Sequence, residues 1–139
     1  MPLFFVMKKT AKVKSPARQE LALLVQSIGG KQILFSILNE FYEVMQKDIF
    51  IGFFFEGRDL VHIAEMQGKF ILMAAGLQKV YEGKGPSTAH TSLPPILSGH
   101  FDRRLVLLKE VLIKRGLSAS QVEIWLRFEE SFRTIVVRT

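Results

Sequence analysis

A long stretch without helical periodicity, residues 81–101, divides the sequence into two parts and limits the folds that it can adopt. The helix breakers in this stretch are Gly83, Gly85, Pro86, Pro94, Pro95 and Gly99. A continuous helix does not tolerate this density of glycine and proline. Long loops inside compact helical domains usually serve function, and His90 lies in the middle of this one, among small residues.

Apolar residues recur at spacings of three and four on both sides of this stretch, the pattern of amphipathic helices. The segments concerned are 16–28, 30–48, 59–80, 100–116 and 118–137. No segment shows the alternation that is typical of a strand. The sequence therefore predicts an all-α domain of about five substantial helices.

Local signals predict where these helices begin and end. Ser15 is a candidate N-cap with Pro16 at the first helical position, and Asp59 and Ser118 are candidate N-caps for later helices. The pair Gly29-Gly30 is expected to end the first helix, and Gly116 the fourth.

The aromatic run before Glu56 is too apolar for a solvent loop and too short for a long helix. It predicts a tight helical corner that turns Phe53, Phe54 and Phe55 inward. On the helix that follows, Gln67 lies in the middle of an otherwise apolar face. A buried amide without a hydrogen-bond partner is costly, so Gln67 is expected either to bond a nearby group or to face a ligand.

The length of 139 residues predicts one domain, residues 16–139, preceded by an N-terminal extension, residues 1–15. The net charge is +6, but residues 1–18 carry five basic residues and no acidic one. The rest of the chain is therefore nearly neutral and lacks the basic face that a nucleic-acid-binding domain requires. We expect no nucleic-acid partner.

The sequence contains no cysteine, which excludes disulfides, thiolate ligands, iron–sulfur clusters and c-type haem attachment. It also lacks a run of 18 apolar residues, so no transmembrane helix is expected. The apolar start precedes the basic residues, the reverse of a signal peptide. These features favour a cytoplasmic protein that is a monomer or a weak dimer.

An ordered set of short motifs gives the sequence a family likeness across roughly residues 20–137. The set comprises Gly29-Gly30, Phe41-Tyr42, Glu56-Gly57, Gln67, Phe70, Tyr81, Gly83, Ala89-His90 and the run from His100 to Arg103. In order and separation it resembles the truncated haemoglobins, most closely the bacterial globins of their first group. The chain departs from the family pattern at Leu77 and Met66 and carries one extra residue after His90.

The resemblance implies the truncated globin fold, a two-over-two helical sandwich, enclosing haem b (iron protoporphyrin IX). It places His90 at the proximal iron ligand. Neutral imidazole is a common ligand of haem iron, and its second ring nitrogen usually donates to a carbonyl group. The local sequence alone favours a surface histidine, so this assignment depends on the whole pattern.

The resemblance also places Tyr42 and Gln67 on the distal side, where a hydroxyl and an amide can stabilise the partial negative charge of bound O₂. The alternative is that Tyr42 is a core aromatic residue whose hydroxyl bonds a carbonyl.

The other pocket residues follow from the same likeness. Phe55 corresponds to the aromatic residue that stacks on the porphyrin, and Phe54 takes that place if the register shifts by one. The expected apolar wall and haem-edge contacts are Ile63, Met66, Phe70, Ile71, Phe101, Arg58, His62 and Tyr81. A rotated helix would instead make His62 a second iron ligand. His100 is expected to begin the next helix.

These assignments predict a haem globin that binds or transports O₂, NO and related diatomic gases. NO dioxygenation is the favoured chemistry, and it requires an unidentified reductase because the chain has no flavin or nicotinamide motif. A gas sensor and a peroxidase-like haem protein are compatible with the same residues. The alternative from another class is a helical interaction module without a cofactor, in which His90, Tyr42 and Gln67 are structural.

Overall fold

A computed structural model describes residues 15–78 and 94–138, and all regular structure within these two ranges is helical. The helices are α1 (Arg18–Ile28), α2 (Lys31–Lys47), a 3₁₀ helix (Gly52–Phe55), α3 (Leu60–Ala74), α4 (Ser98–Lys114), α5 (Ala119–Glu130) and α6 (Arg133–Val136). The all-α prediction is confirmed. Most of the predicted extension, residues 1–15, lies outside the described residues.

Two pairs of helices form the body of the fold. Helix α2 packs along α3, α4 packs along α5, and the two pairs meet where α2 contacts α4. Helix α1 bridges the pairs by packing on α2, α3 and α5. The two-over-two sandwich expected from the sequence is therefore present, and one continuous apolar core lies between the layers.

The turn between α1 and α2 requires glycine. Gly29 and Gly30 have φ angles of 121° and 90°, in the left-handed region that side chains disfavour. Their N–H groups donate to the carbonyls of Gln26 and Val25 and thereby satisfy the end of α1. This confirms the predicted break.

The predicted N-caps of α3 and α5 are also confirmed. The Asp59 side chain accepts a hydrogen bond from the backbone N–H of His62 at 3.1 Å. Ser118 and Gln121 form a reciprocal capping box. The prediction for Ser15 is wrong, because its hydroxyl donates to the Pro16 carbonyl and α1 begins two residues after that proline, at Arg18.

The aromatic corner is a 3₁₀ helix whose three phenylalanines do not share one side. Phe54 and Phe55 are buried, whereas Phe53 is 46% exposed, so the inward placement of Phe53 is wrong. A 3₁₀ helix advances by about 120° per residue, and three consecutive side chains therefore cannot all face the core.

Asp48 fastens this corner to α4. Its Oδ2 accepts the backbone N–H groups of Phe50 and Ile51, at 3.0 and 3.2 Å, and its Oδ1 accepts from Arg103 at 2.7 and 3.0 Å. The Arg103 guanidinium is the largest of the causes that lower the pKa of the Asp48 carboxyl. The carboxylate thus holds the chain that leads to Phe54 and Phe55 against the second layer.

Gly68 permits the close approach of α3 to α2. A Cβ atom at this position would lie 1.9 Å from Cε1 of Phe35, well inside van der Waals contact. Because Gly68 adjoins Gln67, this contact sets how deeply the polar residue enters the core.

Within the described ranges, no single helix is long and apolar enough to cross a membrane. Helices α1 and α2 together have the length and composition of a broken span, with an 87° bend between them. Their apolar faces, including Leu24, Leu34 and Leu38, are buried in the core of the domain.

Candidate functional site

Tyr42 lies on α2 at the centre of the molecule and is fully buried. Its ring packs edge-on against Phe55, with centroids 5.7 Å apart, and is tilted against Phe41 at 5.5 Å. Its hydroxyl has no hydrogen-bond partner among the described residues. The Arg104 guanidinium lies near enough to interact with the hydroxyl oxygen as a donor, but no described group accepts the Tyr42 O–H, so the capacity of the hydroxyl to donate is unmet.

Gln67 lies on α3, is 1% exposed, and makes a hydrogen bond through its amide nitrogen. Nε2 donates to Oε2 of Glu129 on α5, at 3.3 Å. The other end of the amide, Oε1, is buried and has no hydrogen-bond partner in the part of the chain that the structure describes. From the sequence, this amide was expected either to bond a neighbour or to face a ligand. Its nitrogen bonds a neighbour, whereas its oxygen remains available to a ligand.

Glu129 is held in turn by Arg104 of α4, and both side chains are almost completely inaccessible to solvent. Nε and Nη2 of Arg104 lie 3.1 and 3.0 Å from Oε1 of Glu129. Nη1 donates to the Met45 sulfur at 3.7 Å. The guanidinium also lies over the ring of Phe41, with Cζ 4.9 Å from the centroid, and 5.7 Å from the centroid of Tyr42.

The electrostatics follow from burial and from this ion pair. Burial raises the pKa of the Tyr42 phenol above its ordinary value of 10.0, although the nearby Arg104 charge opposes the rise. Burial is the largest single influence on Arg104 and works to lower its pKa, but Glu129 and Tyr42 together outweigh it and the pKa of the guanidinium is raised. The site therefore contains a neutral phenol beside a permanent cation.

The predicted apolar wall lies close to these polar groups. Phe55, Phe70, Ile71 and Phe101 are buried, and Ile63 and Met66 are half-buried. Phe54 is buried too, but its ring stacks on Phe53 and meets His100, whereas Phe55 meets Tyr42. Of the two candidate stacking residues, Phe55 is therefore the one whose ring packs against Tyr42 in the described part of the chain.

Of the remaining predicted contacts, two are exposed and two are not described by the structure. Arg58 and His62 are exposed at the start of α3. Tyr81 and the predicted iron ligand His90 lie outside the described residues. His100 is in the first turn of α4, as expected, and its Nδ1 accepts the backbone N–H of Leu97 at 2.9 Å.

Sequence reasoning missed Arg104 and Glu129. The signal was present in the helical phase: Arg104 is three residues after buried Phe101 and four before Leu108, and Glu129 is four residues after Trp125. Each charged residue thus lies on the inward face of its helix, and the two signs are complementary.

The described residues contain no cluster of three or more histidine, aspartate or glutamate side chains that could hold a metal ion. A metal site made of protein ligands alone is therefore not found in this part of the chain. The buried phenol, amide and ion pair are the chemical groups that this part of the fold brings together.

Comparisons with known proteins agree with this architecture. No family model matches the chain. A curated relative, the group 1 truncated hemoglobin LI410 of Chlamydomonas moewusii, is 25% identical over 114 residues, covering 81% of this chain and 67% of the relative.

Two solved structures of truncated hemoglobin from Tetrahymena pyriformis are similar to it in fold. One is a tyrosine-to-phenylalanine variant and the other a glutamine-to-glutamate variant, both in the Fe(III) form. Each superposes with a TM-score of 0.72 at 22% identity, over 84% of this chain and 98% of the other. These structures establish that the chain has the fold of the truncated haemoglobins, and the algal relative, which is similar in sequence, is named for the same fold family.

Proposed function

We propose that this protein is a haem b globin that reversibly binds O₂ and other diatomic gases. The observation that carries the proposal is the fully buried Tyr42 hydroxyl, which has no hydrogen-bond partner among the described residues. Burying an unpaired hydroxyl is unfavourable, and such groups concentrate where a ligand supplies the missing partner. Haem, when bound, would supply the iron at which the gas binds.

The described residues fit such a group. The unpaired oxygens of Tyr42 and Gln67 require partners, and aromatic and aliphatic side chains surround them. The apolar contacts assigned to the porphyrin are Phe54, Phe55, Ile63, Met66, Phe70 and Phe101. We assign the iron to His90 and the propionates to Arg58, His62 and Tyr81.

Tyr42 would stabilise the gas by donating its O–H. Because burial raises its pKa, the phenol stays protonated at neutral pH and remains a donor. A hydrogen bond to a group that carries charge contributes about 1.5–3 kcal/mol, which corresponds to roughly 10- to 150-fold in dissociation rate. The apolar surroundings strengthen this interaction, because no water competes for the donor.

NO dioxygenation is the reaction that we favour. It combines one O₂ with one NO to give nitrate, and an external reductase must return one electron to the protein for each turnover. The buried phenol would hold O₂ while the apolar wall excludes water.

Hemin uptake by the purified protein tests the proposal. We expect a strong absorption band near the blue edge of the visible spectrum, and we expect His90→Ala to weaken hemin binding and change that spectrum. The matched control is His100→Ala, at a histidine that caps α4 and has no assigned haem contact, and it should leave the ferric spectrum unchanged. Protein that stays colourless after addition of hemin would favour the interaction module, and an unaltered His90→Ala spectrum would reject His90 as the ligand.

A further inference from the structure

A buried polar cluster, defined here as Gln67, Arg104 and Glu129, lies beside Tyr42, and the gas-binding role described above leaves Arg104 and Glu129 without a function. Its three side chains come from three different helices, and each is at most 1% exposed. Charges are rarely buried this deeply unless they are paired, and this pair contacts the candidate ligand-binding amide directly.

The two oxygens of Glu129 have different partners. Oε1 accepts from Nε of Arg104 at 3.1 Å and lies 3.0 Å from Nη2 in the ion pair, and Oε2 accepts from Nε2 of Gln67 at 3.3 Å. Arg104 therefore fixes the position of the carboxylate, and the carboxylate fixes the amide. The positive charge of Arg104 also offsets the negative charge of Glu129, so the amide is held without a net buried charge.

This arrangement determines which end of the Gln67 amide is free. An ionised carboxylate can only accept hydrogen bonds, so the amide must present its NH₂ group to Glu129. The carbonyl oxygen is then at the opposite end, and it is the Gln67 atom without a partner among the described residues. The phenol of Tyr42 supplies a donor, and the carbonyl of Gln67 supplies an acceptor.

We propose that Glu129, fixed by Arg104, is a positioning residue that turns the carbonyl of Gln67 toward the ligand, so that the site favours a ligand that both accepts and donates a hydrogen bond. Hydrogen sulfide is such a ligand, since its sulfur can accept from Tyr42 and it keeps an S–H bond whether it binds as H₂S or HS⁻. Azide has no hydrogen and can only accept. This inference rests on the proposed function, because it assumes that the gas site lies beside these two residues.

The first test compares the affinities of the ferric, hemin-loaded protein for sulfide and azide. Both ligands accept from Tyr42. The ratio of the azide dissociation constant to the sulfide dissociation constant therefore measures the preference for sulfide and isolates the contribution of the Gln67 carbonyl. In Arg104→Met/Glu129→Leu, which removes both charges at similar volume, we expect the preference for sulfide to fall about fivefold or more, the equivalent of one neutral hydrogen bond.

The matched control is Arg127→Met/Glu20→Leu. It removes another Arg–Glu pair, 2.7 Å apart between α5 and α1, which has no bond to Gln67. We expect this control to keep the wild-type ratio. Gln67→Leu leaves Arg104 and Glu129 in place and should lower the ratio as the charge-free variant does, so the test does not depend on one variant folding.

A second measurement needs no haem. In the ¹⁵N–¹H spectrum of the haem-free protein, Gln67 is assigned by the signal that disappears in Gln67→Leu. We expect one of its side-chain amide protons to be shifted downfield and protected from exchange, and we expect both features to be lost in Arg104→Met/Glu129→Leu but kept in the control.

The outcomes separate the two proposals. The positioning role is overturned if the Gln67 amide signal is unchanged in Arg104→Met/Glu129→Leu. It is also overturned if the azide-to-sulfide ratio of dissociation constants stays within twofold of wild type in both that variant and Gln67→Leu. Failure to bind hemin at all overturns the proposed function, and with it the sulfide preference, whereas the amide signal still decides whether Glu129 orients Gln67.

Discussion

Replacement of Tyr42 by phenylalanine should move stability and gas binding in opposite directions. The substitution removes one oxygen atom that is fully buried and has no hydrogen-bond partner among the described residues, and it leaves the ring contacts with Phe41 and Phe55 in place. An unpaired buried polar group costs about 1–3 kcal/mol. The Arg104 charge beside the phenol recovers part of this cost. We therefore expect the haem-free variant to gain about 1 kcal/mol in free energy of unfolding.

The same oxygen is the donor that we assign to bound O₂. Its loss should raise the O₂ dissociation rate of the ferrous, haem-loaded protein by roughly 10- to 150-fold, the equivalent of a charge-assisted hydrogen bond of about 1.5–3 kcal/mol. A substitution that raises stability but weakens ligand binding is typical of a residue whose role is binding and not folding.

The stability measurement is urea unfolding of the haem-free protein, followed by fluorescence of Trp125. This residue is the one tryptophan of the sequence and is 2% exposed, so its emission reports the loss of the core. The dissociation rate is measured by stopped-flow displacement of O₂. Tyr81→Phe, at the other tyrosine of the sequence, should leave the dissociation rate close to wild type.

Two results would contradict these expectations for Tyr42, one through stability and one through gas binding. A loss of 1 kcal/mol or more in haem-free Tyr42→Phe would mean that the hydroxyl makes a hydrogen bond that holds the fold together. A dissociation rate unchanged by Tyr42→Phe would remove this residue from the gas site, whatever its effect on stability.

Three further predictions concern the frame around the site. Asp48→Asn should cost about 1–2 kcal/mol at pH 7 in urea unfolding. Because the pKa of this carboxyl is lowered in the folded protein, its contribution is fully present above the ordinary pKa and should be lost as the pH falls through the lowered pKa; a difference that stays the same at all acidic pH values would contradict this cause. Gly68→Ala should lower the free energy of unfolding by about 1–2 kcal/mol, because the added methyl group clashes with the Phe35 ring. In a Phe35→Leu background the same substitution should be neutral or stabilising, and equal costs in both backgrounds would reject this explanation. Arg104→Met should lower the free energy of unfolding by about 3–5 kcal/mol, because it leaves the buried Glu129 charge unpaired. Adding Glu129→Leu should recover most of that loss, and a double variant as unstable as the single one would argue against this cause.

The sequence predicted those parts of the fold that are encoded within a few residues. Gly29-Gly30, Asp59 and Ser118 mark helix ends correctly because a positive φ angle or a side-chain cap depends on the local chain alone. Ser15 failed although it has the same type of side chain as Ser118. The residue that follows it, Pro16, is buried before α1 begins, and that packing is not visible in a local motif.

The candidate site was predictable where one helix face decides burial. Tyr42 and Gln67 lie on apolar stripes, and both are buried as those stripes indicate. Arg104 and Glu129 lie on equally apolar stripes but were not singled out from the sequence, because charged residues are rarely buried. Their burial depends on each other across 25 residues of sequence, and only the packing of α4 on α5 brings them together.

The buried ion pair is not explained by stability. Two well-packed apolar residues at positions 104 and 129 would hold α4 against α5 about as well, and often better, since they avoid the cost of desolvating two charges. What an apolar pair cannot do is distinguish the two ends of an amide, which differ in hydrogen bonding and hardly at all in shape. A carboxylate makes that distinction, and a buried carboxylate needs a cation. On the proposal above, Glu129 requires Arg104 as its counter-ion and Gln67 requires Glu129 for its orientation, so all three residues would serve the ligand that meets the carbonyl.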